Sequence, residues 1–312
     1  MTSIAIVGVG AIGGVIAARL ATARIRGTNE HDITVCVREP LGGLRVDGMR
    51  VNPVELTSPR AVMPVDWLLL AVKAHQTAAT AGWLSTLCGT GTRIAVLQNG
   101  VEHRERVAPL APEGSVIVPV VVDFPARMVA RGEIIQYGPA RLVVADTRAG
   151  SEFAGLLAGT DIEVRPTDDF LTAAWRKLCV NVASGALTAL TQQGLRVFNR
   201  PDIADLGLAL MEEARAVGRA LGARLPAGLA EGALANFRQA PEAAGSSMLW
   251  DRLAGRPLEY DARNGAVVRA GRRTGVATPH NRAVVALLAA ISAVSDPGVP
   301  PGGPASVEWI GA

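Results

Sequence analysis

The seventeen residues from Ser3 to Arg19 constrain this chain more than any other stretch. Ile4, Ala5, Ile6 and Val7 form an apolar run without polar alternation, which predicts a strand buried on both faces of a parallel sheet. Gly8, Gly10 and Gly13 follow in G-x-G-x-x-G spacing, and Val15, Ile16, Arg19 and Leu20 continue at helical intervals. In that setting Gly8 permits a tight turn, Gly10 lets backbone approach a pyrophosphate, and Gly13 lets the helix pack closely on the strand. The helix start adds unpaired N–H groups and the positive end of a dipole. Glycine makes up 34 of the 312 residues, so the spacing alone is weak evidence. A strand before it and a helix after it make Gly8, Gly10, Ala11, Ile12 and Gly13 a dinucleotide-binding turn rather than a merely tight one.

The segment Arg24–His31 reads as a polar insertion, and Asp32–Val37 as the second strand. An acidic residue closing that strand holds the ribose hydroxyls in NAD sites, whereas here Arg38 comes first and Glu39 follows. A guanidinium there pairs with a 2′-phosphate, so NADP(H) is the expected cofactor unless Glu39 turns inward. Trp67–Val72, Arg93–Leu97 and Ser115–Val121 are further apolar runs, separated by helix-capable segments such as Gln76–Cys88 and Glu102–Ala108. This alternation predicts an α/β fold, an N-terminal Rossmann-like doubly wound sheet. Lys73 and Asn99 stand just past two of the strand ends, where such sheets bind ligands.

Between Glu133 and Arg165 the runs Ile134–Tyr137, Leu142–Val144 and Ile162–Val164 read as edge strands finishing that sheet. Strand signals then nearly vanish. Phe170–Ala189, Pro201–Ala220, Leu229–Phe237, Ser247–Ala254, Leu258–Arg273 and Asn281–Val294 are helical in pattern, which predicts a second, all-α C-terminal domain. The expected division is 1–167 for the NADP-binding domain, 168–294 for the helical substrate domain, and a Pro/Gly-rich tail over 295–312.

Composition narrows the function classes. A net charge of +3 with no long Lys/Arg block gives no nucleic-acid surface. Cys36, Cys88 and Cys179 are few and far apart, as in a cytoplasmic protein with reduced thiols. His31, His75, His103 and His280 are scattered, so no metal is expected. The apolar stretch Ala283–Val294 is too short to span a membrane, and no leader-like segment opens the chain.

Lys177 and Asn181 lie four residues apart in Ala174–Asn181, on one face of a predicted helix that Ser184 and Gly185 continue. Apolar neighbours flank Lys177, and a partly desolvated amine gives up its proton more readily. Ser246 or Ser247 opens a later helix and Glu259 stands near the start of the next. Read from spacing alone, these are an N-cap and a first-turn charge.

Taken together, the N-terminal G-x-G-A-x-G, Lys73 in V-K-A, Asn99 in Q-N-G, W-R-K-L-x-x-N around Lys177, and S-S-M-L-x-D followed by Glu259 resemble the ketopantoate reductase family. The matches run in order along nearly the whole chain. The resemblance implies NADPH-dependent reduction of a small 2-oxo acid, with ketopantoate to pantoate the first candidate. It implies Lys177 as the general acid, Glu259 acting on the same region, and Ser247 and Asn99 holding the substrate carboxylate. Lys73 would lie beside the nicotinamide end, and Asn181 would add a polar contact. The sequence departs from the family pattern at Gly185, where a second amide is expected one turn beyond Asn181; Gln192-Gln193-Gly194 is a further region where one is expected. A relative acting on another 2-oxo or β-oxo acid stays open, as does a non-catalytic NADP(H)-binding regulator, though Lys177 and Glu259 argue against the regulator. A homodimer also stays open.

Overall fold

The computed structural model describes residues 1–59 and 63–294, and the expected tail over 295–312 lies outside the described residues. The chain divides into two compact units between Leu178 and Cys179. The first contains β1 (Ser3–Val7), α1 (Ala11–Ile25), β2 (Asp32–Cys36), β3 (Leu44–Val46), β4 (Met49–Val51), β5 (Val54–Leu56) and β6 (Trp67–Leu70). It continues with α2 (Ala81–Leu87), β7 (Arg93–Val96), α3 (His103–Val107), β8 (Val116–Val122), β9 (Ala126–Ala130), β10 (Glu133–Gln136), β11 (Arg141–Ala145), α4 (Arg148–Leu156) and β12 (Glu163–Thr167). Helix α5 (Phe170–Thr191) contains the point of division.

Among the described residues these strands build an eight-stranded sheet, ordered β12-β11-β8-β7-β6-β1-β2-β5, and a four-stranded sheet, ordered β4-β3-β10-β9. Neighbours in the large sheet are parallel except β8 and β11. β1 lies inside it, between β2 and β6, and all four residues of Trp67-Leu68-Leu69-Leu70 in β6 are buried. Such unbroken apolar runs are what burial on both faces requires. The parallel order brings the ends of β1, β2, β6 and β7 to one edge, so the loops carrying Gly10, Arg38, Lys73 and Asn99 leave from the same side of the sheet.

The small sheet was not expected. Ile134–Tyr137 reads from sequence as an edge strand of the main sheet, but β10 pairs antiparallel with β9 and parallel with β3 instead. Its Leu44, Val46 and Ile134 share one core with Val15, Ile16 and Leu20 of α1. Hairpin pairing with its immediate neighbour β9 takes the strand away from the large sheet. The segment Gln76–Cys88 is also less regular than expected: two 3₁₀ turns, Ala74–Gln76 and Ala78–Thr80, precede α2.

The second unit continues with α6 (Pro201–Ala220), α7 (Leu229–Gln239), α8 (Ser247–Leu253), α9 (Ala266–Thr274) and α10 (Pro279–Val294). The helix expected over Leu258–Arg273 begins as a π-helical turn, Asp261–Gly265, before α9. Asn264 anchors this turn: its side-chain amide donates to Val182 O at 3.0 Å and to Asn281 Oδ1 at 3.0 Å. Asn281 in turn donates to Leu210 O and to Glu213, which ties α5, α6 and α10 through fully buried amides. Both bonds of the Asn264 Nδ2 group reach buried acceptors on other helices, which makes the π turn a fixed element.

Candidate active site

Gly8 adopts φ +98°, and a Cβ on it would lie 2.6 Å from Val72 N, so only glycine fits this turn. A Cβ on Gly13 would lie 2.1 Å from the Gly8 carbonyl oxygen, so turn and helix touch backbone to backbone. Gly10 is the opposite case: it is exposed, it caps α1 without a side-chain bond, and nothing stands within 4 Å of where its Cβ would be. The first turn of α1 contains no acidic residue. Open space over Gly10 and the N–H groups at the start of a fifteen-residue helix suit a pyrophosphate. At the end of β2, Glu39 does not turn inward. It pairs with Arg131 at 2.5 Å, whose guanidinium also donates to Pro40 O at 2.9 Å. Arg38 is exposed beside it and makes no ion pair among the described residues. These residues fit an NADP(H) molecule, with a guanidinium available to a 2′-phosphate and the competing carboxylate occupied.

Lys73 and Asn99, both partly buried, sit on loops joined by a residue the sequence did not single out. Gln98 Nε2 donates to Val72 O at 3.2 Å and to Thr77 Oγ1 at 2.9 Å, bridging the ends of β6 and β7. Its own carbonyl accepts from His103 Nε2 at 2.9 Å. A carbonyl cannot donate, so Nε2 carries the proton, and burial holds His103 below its ordinary value of 6.5. This lattice fixes the backbone on which Lys73 and Asn99 stand.

Lys177 is not enclosed by the apolar neighbours its sequence shows. Its side chain is 35% exposed and its Nζ donates to Asp123 Oδ1 at 2.9 Å. The flanking Trp175 and Leu178 are buried, at 1% exposure each, while Lys177 is not. Asp123, just past β8, carried no sequence signal, because a lone aspartate after a strand is ordinary.

In the second unit, Ser246 is the N-cap of α8, accepting from Leu249 N at 3.0 Å, which leaves Ser247 for other work. Ser247 is exposed, and its Oγ accepts from Arg263 Nη2 at 2.8 Å. Glu259 precedes the π turn and is not a first-turn charge. Its side chain is 1% exposed and receives Arg263 Nη2 at 3.4 Å. Asn181 is partly buried on α5. Gln192, at φ +55°, ends α5 and is exposed, as is Gln193. The three cysteines are buried and unpaired, and burial pushes each thiol up to about 12. Among the described residues no group of His, Cys, Asp and Glu could hold a metal ion.

Residues 4–149 match the family described as ketopantoate reductase PanE/ApbA, and residues 169–292 match its C-terminal region. The chain belongs to the ketopantoate reductase family. It is 43% identical over 294 residues to the 2-dehydropantoate 2-reductase of Caulobacter vibrioides, covering 92% of this chain and 98% of that one. Its identity to the enzyme of the same name from Mycobacterium tuberculosis is 42% over 297 residues, covering 93% and 98%. The crystal structure of 2-dehydropantoate 2-reductase from Geobacter metallireducens superimposes with a TM-score of 0.83 at 27% identity, covering 92% of this chain and 99% of that one.

Against the family pattern, the space at Gly185 is filled in an unexpected way. A Cβ on Gly185 would lie 2.8 Å from Arg263 Nη1 and 3.1 Å from Met248 Sδ. Where the resemblance leads one to expect an amide, a guanidinium stands. Arg263 escaped the sequence reading because an arginine four residues after a glutamate looks like a solvated helix pair.

Proposed function

We propose that this family member reduces 2-dehydropantoate to pantoate with NADPH, and that the residues named above divide the work. The chain is an NADP-dependent oxidoreductase acting on a CH–OH group. The observation that carries the reading is its identity to 2-dehydropantoate 2-reductases over nearly the full length of both chains. When bound, the dinucleotide supplies the hydride. Gly8, Gly10, Ala11, Ile12 and Gly13 hold its pyrophosphate, Arg38 its 2′-phosphate, and Lys73 and Asn99 border its nicotinamide end. Asn99 and Ser247 hold the substrate carboxylate, and Asn181 makes a further polar contact. Lys177 gives a proton to the oxygen of the substrate carbonyl as it becomes an alkoxide, and Glu259 acts on the same region.

The functional boundary falls between 167 and 168, before α5, so that Lys177 and Asn181 belong to the helical substrate domain together. The substrate is a small 2-oxo acid, with no nucleic acid or membrane involved. No helix among the described residues is long and apolar enough to cross a membrane, and a cytoplasmic location goes with this reading. A homodimer stays open beside this reading, and light scattering reads the assembly. The test of the function is NADPH oxidation by the purified chain across a panel of 2-oxo acids. Turnover of ketopantoate with the highest kcat/KM supports the proposal; turnover of another 2-oxo acid with ketopantoate inert refutes it.

A further inference from the structure

Two local choices in the second unit are each unfavourable alone. Gly185 lies inside a twenty-two-residue helix, where glycine costs about 1 kcal/mol relative to alanine. Arg263 is a cationic side chain only 2% exposed, which is rare unless the charge is paired. They explain each other. The missing Cβ at Gly185 leaves the volume that Nη1 occupies, and the π turn, fixed by Asn264, directs Arg263 toward it. Local rules broken in concert mark sites where function has been favoured over local stability. π turns concentrate at such sites as well.

What Arg263 does there follows from donor and acceptor counting. Guanidinium can only donate, so the bond from Nη2 to Ser247 Oγ uses the hydroxyl as an acceptor. The single hydroxyl proton of Ser247 is then turned away from Arg263, on a residue that is itself exposed. An oriented O–H of this kind is matched to an acceptor-only group, such as a carboxylate. The same Nη2 faces Glu259 at 3.4 Å, so one guanidinium nitrogen reaches both Ser247 and Glu259. Arg263 Nε, also buried, has no partner, so the guanidinium is held through Nη2, with Nη1 lying in the space left by Gly185. We infer that Arg263, seated in the space left by Gly185, is a positioning residue that fixes Ser247 as a hydrogen-bond donor to the substrate carboxylate and pairs with Glu259.

This rests on the proposed placement of Ser247 at the substrate, and the experiment separates the two. Arg263→Lys keeps the positive charge beside Glu259 but loses the planar fork. Ser247→Ala and the double variant Arg263→Lys/Ser247→Ala complete a cycle, with KM for ketopantoate, kcat, NADPH affinity and melting temperature read for each. The loss of one charge-assisted bond corresponds to roughly ten-fold. Arg263→Lys and Ser247→Ala should each raise KM by about that factor, with kcat and NADPH affinity altered less than three-fold or so. The double variant should be no worse than either single one, because Arg263 acts through Ser247. Independent, multiplying losses overturn the inference, as does a wild-type KM in Arg263→Lys beside a raised KM in Ser247→Ala. A wild-type KM in Ser247→Ala removes the premise and the inference together. Should Arg263→Lys fail to fold, Gly185→Ala, which displaces Nη1 while keeping the arginine, must raise KM in the same way, and a wild-type KM there overturns the inference.

Discussion

Lys177 Nζ and Asp123 Oδ1 stand 2.9 Å apart, joining the third turn of α5 to the loop that leaves β8. Both side chains are substantially exposed, at 35% and 53%. A pair in that setting contributes about 0–1 kcal/mol to folding, so its value lies elsewhere. It holds the Lys177 amine in one position, which a proton donor to a nascent alkoxide needs before the substrate arrives. Lys177→Ala should lower kcat and kcat/KM together, by ~10²–10⁴-fold, since the bond to the alkoxide forms only in the transition state. Asp123→Ala should give a smaller loss of kcat with little change in melting temperature. Full activity in Lys177→Ala would remove it from the chemistry.

Cofactor preference has a separate test. Glu39 is committed to Arg131, so Arg38 is the charged group at the end of β2 that is open to a ligand. Arg38→Ala should weaken NADPH binding by about ten-fold or more and leave NADH nearly unchanged. Equal losses for both cofactors, measured by fluorescence titration, would place the 2′-phosphate elsewhere.

The glycine turn supports a steric prediction because the protein itself leaves room. With nothing within 4 Å of its Cβ position, Gly10→Val has open space for its β-carbon. The fold should survive with its melting temperature within a few degrees of wild type, while NADPH binding is lost. Normal affinity in that variant would mean that the pyrophosphate does not cross Gly10.

How legible this was in the sequence depended on how local each signal was. The β1–α1 turn could be read because strand, glycines and helix are contiguous, and φ +98° at Gly8 is a demand that one residue meets alone. Helix α6 is legible at both ends, Pro201 and Ala220, because both the periodicity and the N-terminal proline are local. The small sheet could not be read, since Leu44-Arg45-Val46 is a three-residue strand whose pairing with β10 spans some ninety positions. The same holds at the site. Lys177 and Asn181 share a helix face, but Asp123 reaches Lys177 only through tertiary structure. Glu259 reads as a solvated charge until the π turn places it at 1% exposure.

His103 gives a prediction about stability and pH. Burial holds its folded-state value below 6.5, and its Nε2 proton is committed to Gln98 O. The unfolded chain therefore takes up a proton at a pH where the folded chain does not. The stability that this provides is complete above about 6.5 and is lost as pH falls toward the depressed folded value. His31 is shifted in the same direction, also by burial, so it adds to the slope. Melting temperature should fall from pH 7.5 to about 5.5, and His103→Gln should flatten part of that fall. A slope unaltered by His103→Gln would exclude the imidazole as its source.

The pair Gly185 and Arg263 gives the last prediction, and it concerns what the family pattern would lead one to try first. Gly185→Asn restores an amide where the resemblance expects one, yet it sets a Cβ 2.8 Å from Nη1 and an amide beyond it. Nη1 belongs to a long side chain, but its guanidinium is anchored to Ser247 and Glu259 and is buried, so it cannot swing out freely. Overpacking of that kind costs about 1–3 kcal/mol, so Gly185→Asn alone should melt earlier and lose activity on ketopantoate. Arg263→Leu removes the obstruction but leaves Glu259 without the guanidinium, so it too should be damaging. Together the substitutions exchange one arrangement for another: the asparagine enters the vacated volume and offers Glu259 and Ser247 a new polar neighbour. The double variant should then be more stable than the sum of the two single losses, by an interaction of about 1 kcal/mol or more. Strict additivity in melting temperature and in kcat/KM would show that the two positions do not compete for the same space, and that the glycine is there for another reason.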